Sequence, residues 1–240
     1  MGSGASGGAN QPAMPPPTAL PPPLAALLPK STQAAWKALA PVLPPALYLA
    51  GGTGVAVHLH HRASRDLDFF YHRGAVDLEE VERRVEAAGK FAVELREPGT
   101  LRGLFGATRV EFFHADEAKP QQLLEPPAEV AGLRVAGLRD LLAMKLKVVR
   151  ERGELRDYYD IMEIEERAGL QVEDGLALFI ERYGLTPADA AVRQVIQALG
   201  YLDDIDDDEQ LPISKEQLAA WWAARQPRLV KNLARNPLPT

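Results

Sequence analysis

LAGGTGVAVHLHHRASRDLDFF, residues 49–70, changes its periodicity twice, in the order strand, turn, helix, strand. The apolar run ALYLA at Ala46–Ala50 is short enough for a strand and ends at Gly51 and Gly52. The following TGVAVHLHH then spaces its apolar residues as a helix does. Arg65–Tyr71 (RDLDFFY) alternates, so Ser64, Asp66, Asp68 and Phe70 share one face of a second strand and Leu67 and Phe69 share the other. The glycine turn opens a helix, where free backbone N–H groups and missing Cβ atoms suit a phosphate. Two carboxylates two residues apart on the next strand offer hard oxygens to Mg²⁺, which keeps several waters and binds phosphate oxygens as well.

Outward from this segment, Asp77 reads as the N-cap of a helix running to Ala88, with Glu80 as capping-box partner and Gly89 as the stop. Phe91–Leu95, Thr100–Leu104 and Thr108–His114 read as strands divided by turn signals. A loop with Pro120, Pro126 and Pro127 precedes a short strand at Leu133–Val135. Leu138–Arg152 and Arg156–Ala168 are helices broken at Gly153, followed by helices at Val172–Tyr183, Pro187–Leu199 and Lys215–Arg225. The acidic run Asp203–Glu209 reads as a solvated linker. Upstream, Ser31 caps a helix over Thr32–Ala40 that buries Trp36 and stops at Pro41. Residues 1–29, Gly/Ser-rich and then Pro-rich, read as a disordered leader outside the fold, partly an added tag sequence. The expectation is an α+β fold. Residues 30–155 would form a mixed, largely antiparallel sheet flanked by helices, and residues 156–240 a C-terminal helical bundle closing one side of a cleft.

Composition bounds the chemistry. The 240 residues are 46% hydrophobic and 25% charged, which is ample for a buried core. With no cysteine, a disulfide framework, a thiolate zinc site and a cysteine nucleophile are excluded. A net charge of -6 argues against extended nonspecific nucleic-acid binding but leaves room for a local basic cleft. No apolar run approaches the roughly 18 residues that span a bilayer, so a soluble, cytoplasmic protein with no membrane association is expected.

Two helices break their own apolar stripes. Lys145 falls within the stripe of Leu138, Leu141, Leu142, Val148 and Val149, and Asp157 and Asp160 fall within that of Ile161, Ile164 and Ala168. Buried charges need compensation, so Lys145, Arg150 or Arg156, or a metal, should meet the aspartates. The outcome is either a structural ion-pair network or a site. Glu111 in ATRVEFF is a third acid that would join Asp66 and Asp68 if its strand lay beside theirs. His58, His60 and His61 sit at a helix C-terminus, where the dipole gives them a structural role. Of Trp221 and Trp222, one should anchor the core and one remain partly exposed.

Residues 49–70 resemble the signature segment of the AbiEii/AbiGii toxin family, within the polymerase-β-like nucleotidyltransferases. Arg156-Asp157-Tyr158-Tyr159-Asp160 resembles that family's downstream R/K-D-x-x-D element. The resemblance runs from about Tyr48 to Ile164 and includes the Lys145–Arg150 stretch. It departs at Gly54, where family members often carry a larger residue, and at Glu111, where the wider superfamily commonly has aspartate.

The resemblance implies a Mg²⁺- or Mn²⁺-dependent transfer of a nucleoside monophosphate from an NTP co-substrate to an acceptor hydroxyl. Asp66 and Asp68, with Glu111 as a candidate third ligand, would hold metal. Gly51, Gly52, Thr53, Arg62, Ser64 and Arg150 would contact the nucleotide. Lys145 would neutralise phosphate charge, Asp157 would position that lysine or act as a base, and Asp160 would support them. Such a toxin would act on RNA, plausibly a tRNA acceptor end, or on protein, and would be paired with a cognate antitoxin. Two other readings share the same residues. One is a nucleotide-binding or protein-interaction module with little turnover. The other is a small-molecule nucleotidyltransferase of the antibiotic-modifying kind, whose acceptor would need a closed, acidic pocket.

Overall fold

The computed structural model describes residues 19–115 and 123–238. Residues 1–18 of the leader and Pro120 of the proline-containing loop lie outside the described residues. In chain order the elements are α1 (Pro22–Leu27), α2 (Lys30–Leu39), β1 (Tyr48–Leu49), α3 (Gly51–Leu59), β2 (Leu67–Tyr71), α4 (Leu78–Ala88), β3 (Phe91–Glu97), β4 (Thr100–Phe105), β5 (Thr108–His114), β6 (Ala128–Val130) and β7 (Leu133–Val135). Five helices follow: α5 (Leu138–Glu151), α6 (Leu155–Ala168), α7 (Val172–Tyr183), α8 (Ala190–Ala198) and α9 (Lys215–Arg235).

The strands form one seven-stranded sheet in the order β3-β4-β5-β2-β1-β7-β6. β5 with β2 and β1 with β7 are parallel and the other pairings antiparallel, so the sheet is mixed and largely antiparallel, as expected. In β2 the expected alternation holds: Leu67, Phe69 and Tyr71 are buried, while Asp68 and Phe70 are half-buried on the opposite face. The β2/β5 register sets Asp68 directly beside Glu111, which brings two acids together from strands far apart in sequence.

Two apolar clusters hold the fold. One gathers Trp36, Leu67, Phe69, Val81, Val85 and Phe112 beneath α1, α2 and α4. The other joins Tyr48, Ala50 and Val55 to the buried faces of α5 through α9, with Trp222 fully buried and stacked edge-on against Tyr158. Trp221 is half-buried and donates through Nε1 to Glu166 (3.1 Å), so the expected division between the tryptophans is observed.

Several local expectations are corrected. Pro22–Leu27, read as part of a leader outside the fold, is helical, and Leu24 and Leu28 are buried in the first cluster. Proline at the first helical positions forfeits only amides that have no intrahelical partner, so a proline cluster can open a helix as well as prevent one. Ser31 is not a cap, because α2 begins at Lys30 after Pro29. Asp77 caps α4 through the Glu79 amide (3.0 Å), but Glu80 pairs with Arg83 and Arg84 instead of completing a capping box. α9 runs through Pro227 to Arg235, ten residues beyond the expected end at Arg225. No helix among the described residues is long and apolar enough to cross a membrane.

Candidate active site

α3 starts on the glycines themselves. Gly51 has φ +62°, in the region that favours glycine, and a Cβ there would lie 2.1 Å from Asp68 Oδ2. A Cβ on Gly52 would lie 2.4 Å from Arg62 Nη2 and 3.4 Å from Ser64 Oγ. The turn is thus pressed against a carboxylate on one side and a guanidinium on the other. No side chain caps this N-terminus, where Ala50 is the N-cap, so its first amides keep their donor capacity. Thr53 is buried, donates through Oγ1 to the Asp66 carbonyl (2.5 Å) and lies 2.7 Å from the Ser64 hydroxyl, tying α3 to the approach to β2. Gly54 is explained by packing: a Cβ would stand 3.0 Å from Leu141 Cδ2.

The cleft at this turn has a volume of about 620 Å³ and is lined by Gly52, Arg62, Ser64, Asp66 and Asp68. Arg65, Arg109 and Arg156 line it as well, together with Asp208, Gln210 and Leu211 from the α8–α9 loop. Four arginines and three aspartates line the cleft, with Arg62 paired to Asp160 and Arg156 paired to Glu154. Burial, and then the charges of Glu111 and Asp66, push the Asp68 carboxyl up to about 7, with Lys145 and Arg156 only partly opposing them.

Behind the cleft lies the ion cluster expected from the two broken helix stripes. Asp160 is fully buried and accepts from Arg62 Nε (2.6 Å) and Nη2 (2.8 Å), with His61 Nε2 at 2.7 Å and Lys145 Nζ at 2.6 Å. Lys145 Nζ also lies 2.6 Å from Asp157 Oδ1, while Asp157 Oδ2 accepts from the Glu154 amide (3.0 Å) to complete a capping box on α6. Burial alone would raise the Asp160 carboxyl, but Lys145 and Arg62 outweigh it and hold it well below the usual carboxylate range. The same pairing keeps Lys145 charged against burial, raising its ammonium above the ordinary lysine value through Asp157 and Asp160.

The expected site residues therefore divide. Gly51, Gly52, Arg62, Ser64, Asp66 and Asp68 meet at the turn and the cleft, whereas Thr53, Lys145, Asp157 and Asp160 lie buried behind them. Arg150 is not brought to the cleft; it pairs with the adjacent Glu151 (2.8 Å). Glu111 stands beside Asp68 in register but is held by Arg102 (2.7 Å), and no group of three or more acidic or histidine side chains among the described residues is placed to hold a metal. The donor set is the Asp66/Asp68 pair, and it fits a Mg²⁺-like ion, which takes one or two carboxylates and fills its remaining positions with water and phosphate oxygens. His58 Nε2 lies 2.8 Å from the Ala136 carbonyl, and His60 ends α3 in the left-handed region, consistent with structural roles.

Arg109 and Arg65 were missed by sequence reasoning, and Arg156 was read only as a partner for the buried acids. Alternation along β5 puts Arg109 on the face of Glu111, a signal present in the sequence. What brings it to the cleft is the parallel β2/β5 pairing, which local pattern does not encode.

A family model described as "Nucleotidyl transferase AbiEii toxin, Type IV TA system" matches residues 35–235. A protein of Aquifex aeolicus (strain VF5), described as "Uncharacterized protein aq_aa25", is 26% identical over 164 residues, covering 67% of this chain and 76% of its own. Among solved structures, JHP933 from Helicobacter pylori is similar with a TM-score of 0.52 and 19% identity, over 90% of this chain and 96% of that one. The nucleotidyltransferase toxin MenT4 (Rv2826c) of Mycobacterium tuberculosis H37Rv is similar with a TM-score of 0.50 and 20% identity, over 84% of this chain and 86% of that one.

Proposed function

The chain belongs to the AbiEii nucleotidyl transferase toxin family, and we propose that it transfers a nucleoside monophosphate from an NTP to a hydroxyl of RNA, such as a tRNA acceptor end. It is a nucleotidyltransferase by family. The acceptor, the metal dependence, the cytoplasmic setting and a cognate antitoxin are our reading. The observation that carries it is the cleft, where the uncapped glycine turn that opens α3 meets Arg62, Ser64, Asp66 and Asp68, with Gly51 allowing the Asp68 carboxylate to lie against the turn because it has no Cβ.

In this reading the α3 amides and Arg62 hold the β- and γ-phosphates, and Ser64 orients the same group by hydrogen bonding. The acceptor oxygen attacks the α-phosphorus, the α–β phosphoanhydride bond breaks, pyrophosphate leaves and the acceptor proton passes to solvent. Asp66 and Asp68 hold a divalent cation, Mg²⁺ or Mn²⁺, which when bound stabilises charge on the phosphoryl oxygens. Lys145 and Asp157 are positioning residues: through Asp160 they fix Arg62, and Lys145 adds positive potential behind Asp68. Arg65, Arg109 and Arg156 favour a polyanionic acceptor and support RNA over protein.

The test is transfer of label from each of four α-labelled NTPs, with Mg²⁺, to total RNA and to lysate protein, beside an Asp66→Ala, Asp68→Ala variant. Label on RNA that falls by at least about 10³-fold in the variant is expected. Label on protein alone would move the acceptor class, and label that persists in the variant would remove the two carboxylates from the chemistry.

A further inference from the structure

The Asp203–Glu209 run (DDIDDDE) exposes five of its six acids to solvent, as its composition suggests, but it is anchored to the fold. Ile205 and Leu211 pack against the larger apolar cluster, and Lys215 Nζ bonds the Asp203 carbonyl (3.1 Å) and the Ile205 carbonyl. The Leu211 amide closes a turn on the Asp208 carbonyl (3.0 Å), and the Gln210 amide donates to Asp208 Oδ1 (3.0 Å). These bonds hold the loop at the mouth of the cleft, where Asp208, Gln210 and Leu211 form part of the lining. Asp208 is half-buried, and its charge is among those acting on Arg62, after the dominant Asp160 and then Asp157 have offset burial. A second cavity of about 400 Å³ lies on the other side of Asp208, between Asp204–Asp208 and the start of α6. Asp208 thus stands between two open spaces, one of them the anion cleft.

Charge arithmetic singles out the same segment. The chain carries 33 acidic and 27 basic residues, and six of the acids stand in Asp203–Glu209, so the remainder is formally neutral. The formal acidic excess equals the charge of this one loop, of which Asp208 lines the cleft. Potential at a cleft wall is the sum of nearby charges, and such a loop lowers the positive potential around Arg62.

We propose that the α8–α9 loop is an electrostatic gate: its carboxylates compete with incoming phosphates for the cleft arginines and hold down affinity for polyanionic substrates. The gate rests on the transfer reading above, because it acts on the cleft assigned there to the triphosphate. Anions enter by displacing or screening the loop, so occupancy responds to ionic strength and to any cation or basic partner that neutralises it.

Inorganic tripolyphosphate and each NTP, titrated calorimetrically into the full chain, test this in the wild type, Asp208→Asn, and the triple variant Asp206→Asn, Asp207→Asn, Asp208→Asn. At about 0.05 M salt the triple variant should bind at least about fivefold more tightly than the wild type, with the difference closing near 0.5 M as screening removes it. Asp208→Asn should give part of the gain and Asp208→Glu none, which separates charge from fold. Thermal melts check that each variant is folded, and the single substitutions carry the test if the triple variant is not. Equal or weaker binding by the neutralised variants overturns the gate while leaving the transfer reading intact. Absence of triphosphate binding in every form overturns both.

Discussion

Asp160 accepts from Arg62 and His61 and is paired with Lys145, whereas Asp68, a short distance forward, faces Asp66 and Glu111. The two carboxylates therefore have opposite linkage. The Asp160 carboxyl is depressed, so below its ordinary value, about 4, the unfolded chain takes up the proton first and the stability supplied by the cluster is lost as the pH falls. Asp160→Asn should cost about 3–5 kcal/mol at pH 7, because it leaves Lys145 and Arg62 buried without their shared anion. Urea unfolding at pH 7 and pH 3 should find the cost smaller by only about 1 kcal/mol at the lower pH, because the loss accumulates from the ordinary value down to the depressed one. The Asp68 carboxyl is raised to about 7, so the folded chain keeps a proton that the unfolded chain has released, and stability drains between about pH 4 and 7 and stays low above. Asp68→Asn should therefore stabilise metal-free protein at pH 8 by about 2–4 kcal/mol and leave it nearly unchanged at pH 4. A melting temperature lowered by the substitution at pH 8 would remove Asp68 as a strained acid.

At the scale of elements, α9 separates local pattern from packing. Pro227 is an orthodox stop signal, but Leu229 is fully buried two residues later and Arg225 is clamped by Glu165 (2.6 Å) and Glu173, so tertiary contacts carry the helix past it. Pro227 itself is exposed, so Pro227→Ala restores a helical amide without opening a cavity. It should raise stability by about 1–3 kcal/mol, read from denaturant midpoints, and a loss of stability would mean that the proline ring itself is required at this position. The same contrast explains what was legible. β2 and α3 could be read because their patterns are local, and Lys145 and Asp160 because a charge inside an apolar stripe demands a partner. α1 was hidden by proline composition, and Arg109 by a parallel pairing between non-consecutive strands. Arg150 was misplaced because a basic residue near a motif reads alike whether it faces the cleft or, as here, the neighbouring Glu151.

For the whole molecule, the larger apolar cluster takes Tyr48 and Ala50 from the end of β1 and Val55 from α3, and runs through α5 into α6, α7 and α9. It does not stop at residue 155, where the sequence suggested a boundary. Leu141, Leu142, Leu146 and Val149 of α5 are buried in a cluster whose other side comes from residues beyond that point, and each buried leucine is worth about 1.5–3 kcal/mol. The charge network crosses the same line, because the partners of Lys145 and Arg62 are on α6. A fragment ending at residue 155 would expose the α5 face and bury two cations without their aspartates, which exceeds the net stability of an ordinary domain. It should fail to fold, giving poor amide dispersion by NMR and no cooperative melt, while the full chain unfolds in a single transition. A folded fragment that binds triphosphate would instead make the helical half an accessory to the cleft, and Lys145 would then have to keep its charge without Asp157 or Asp160.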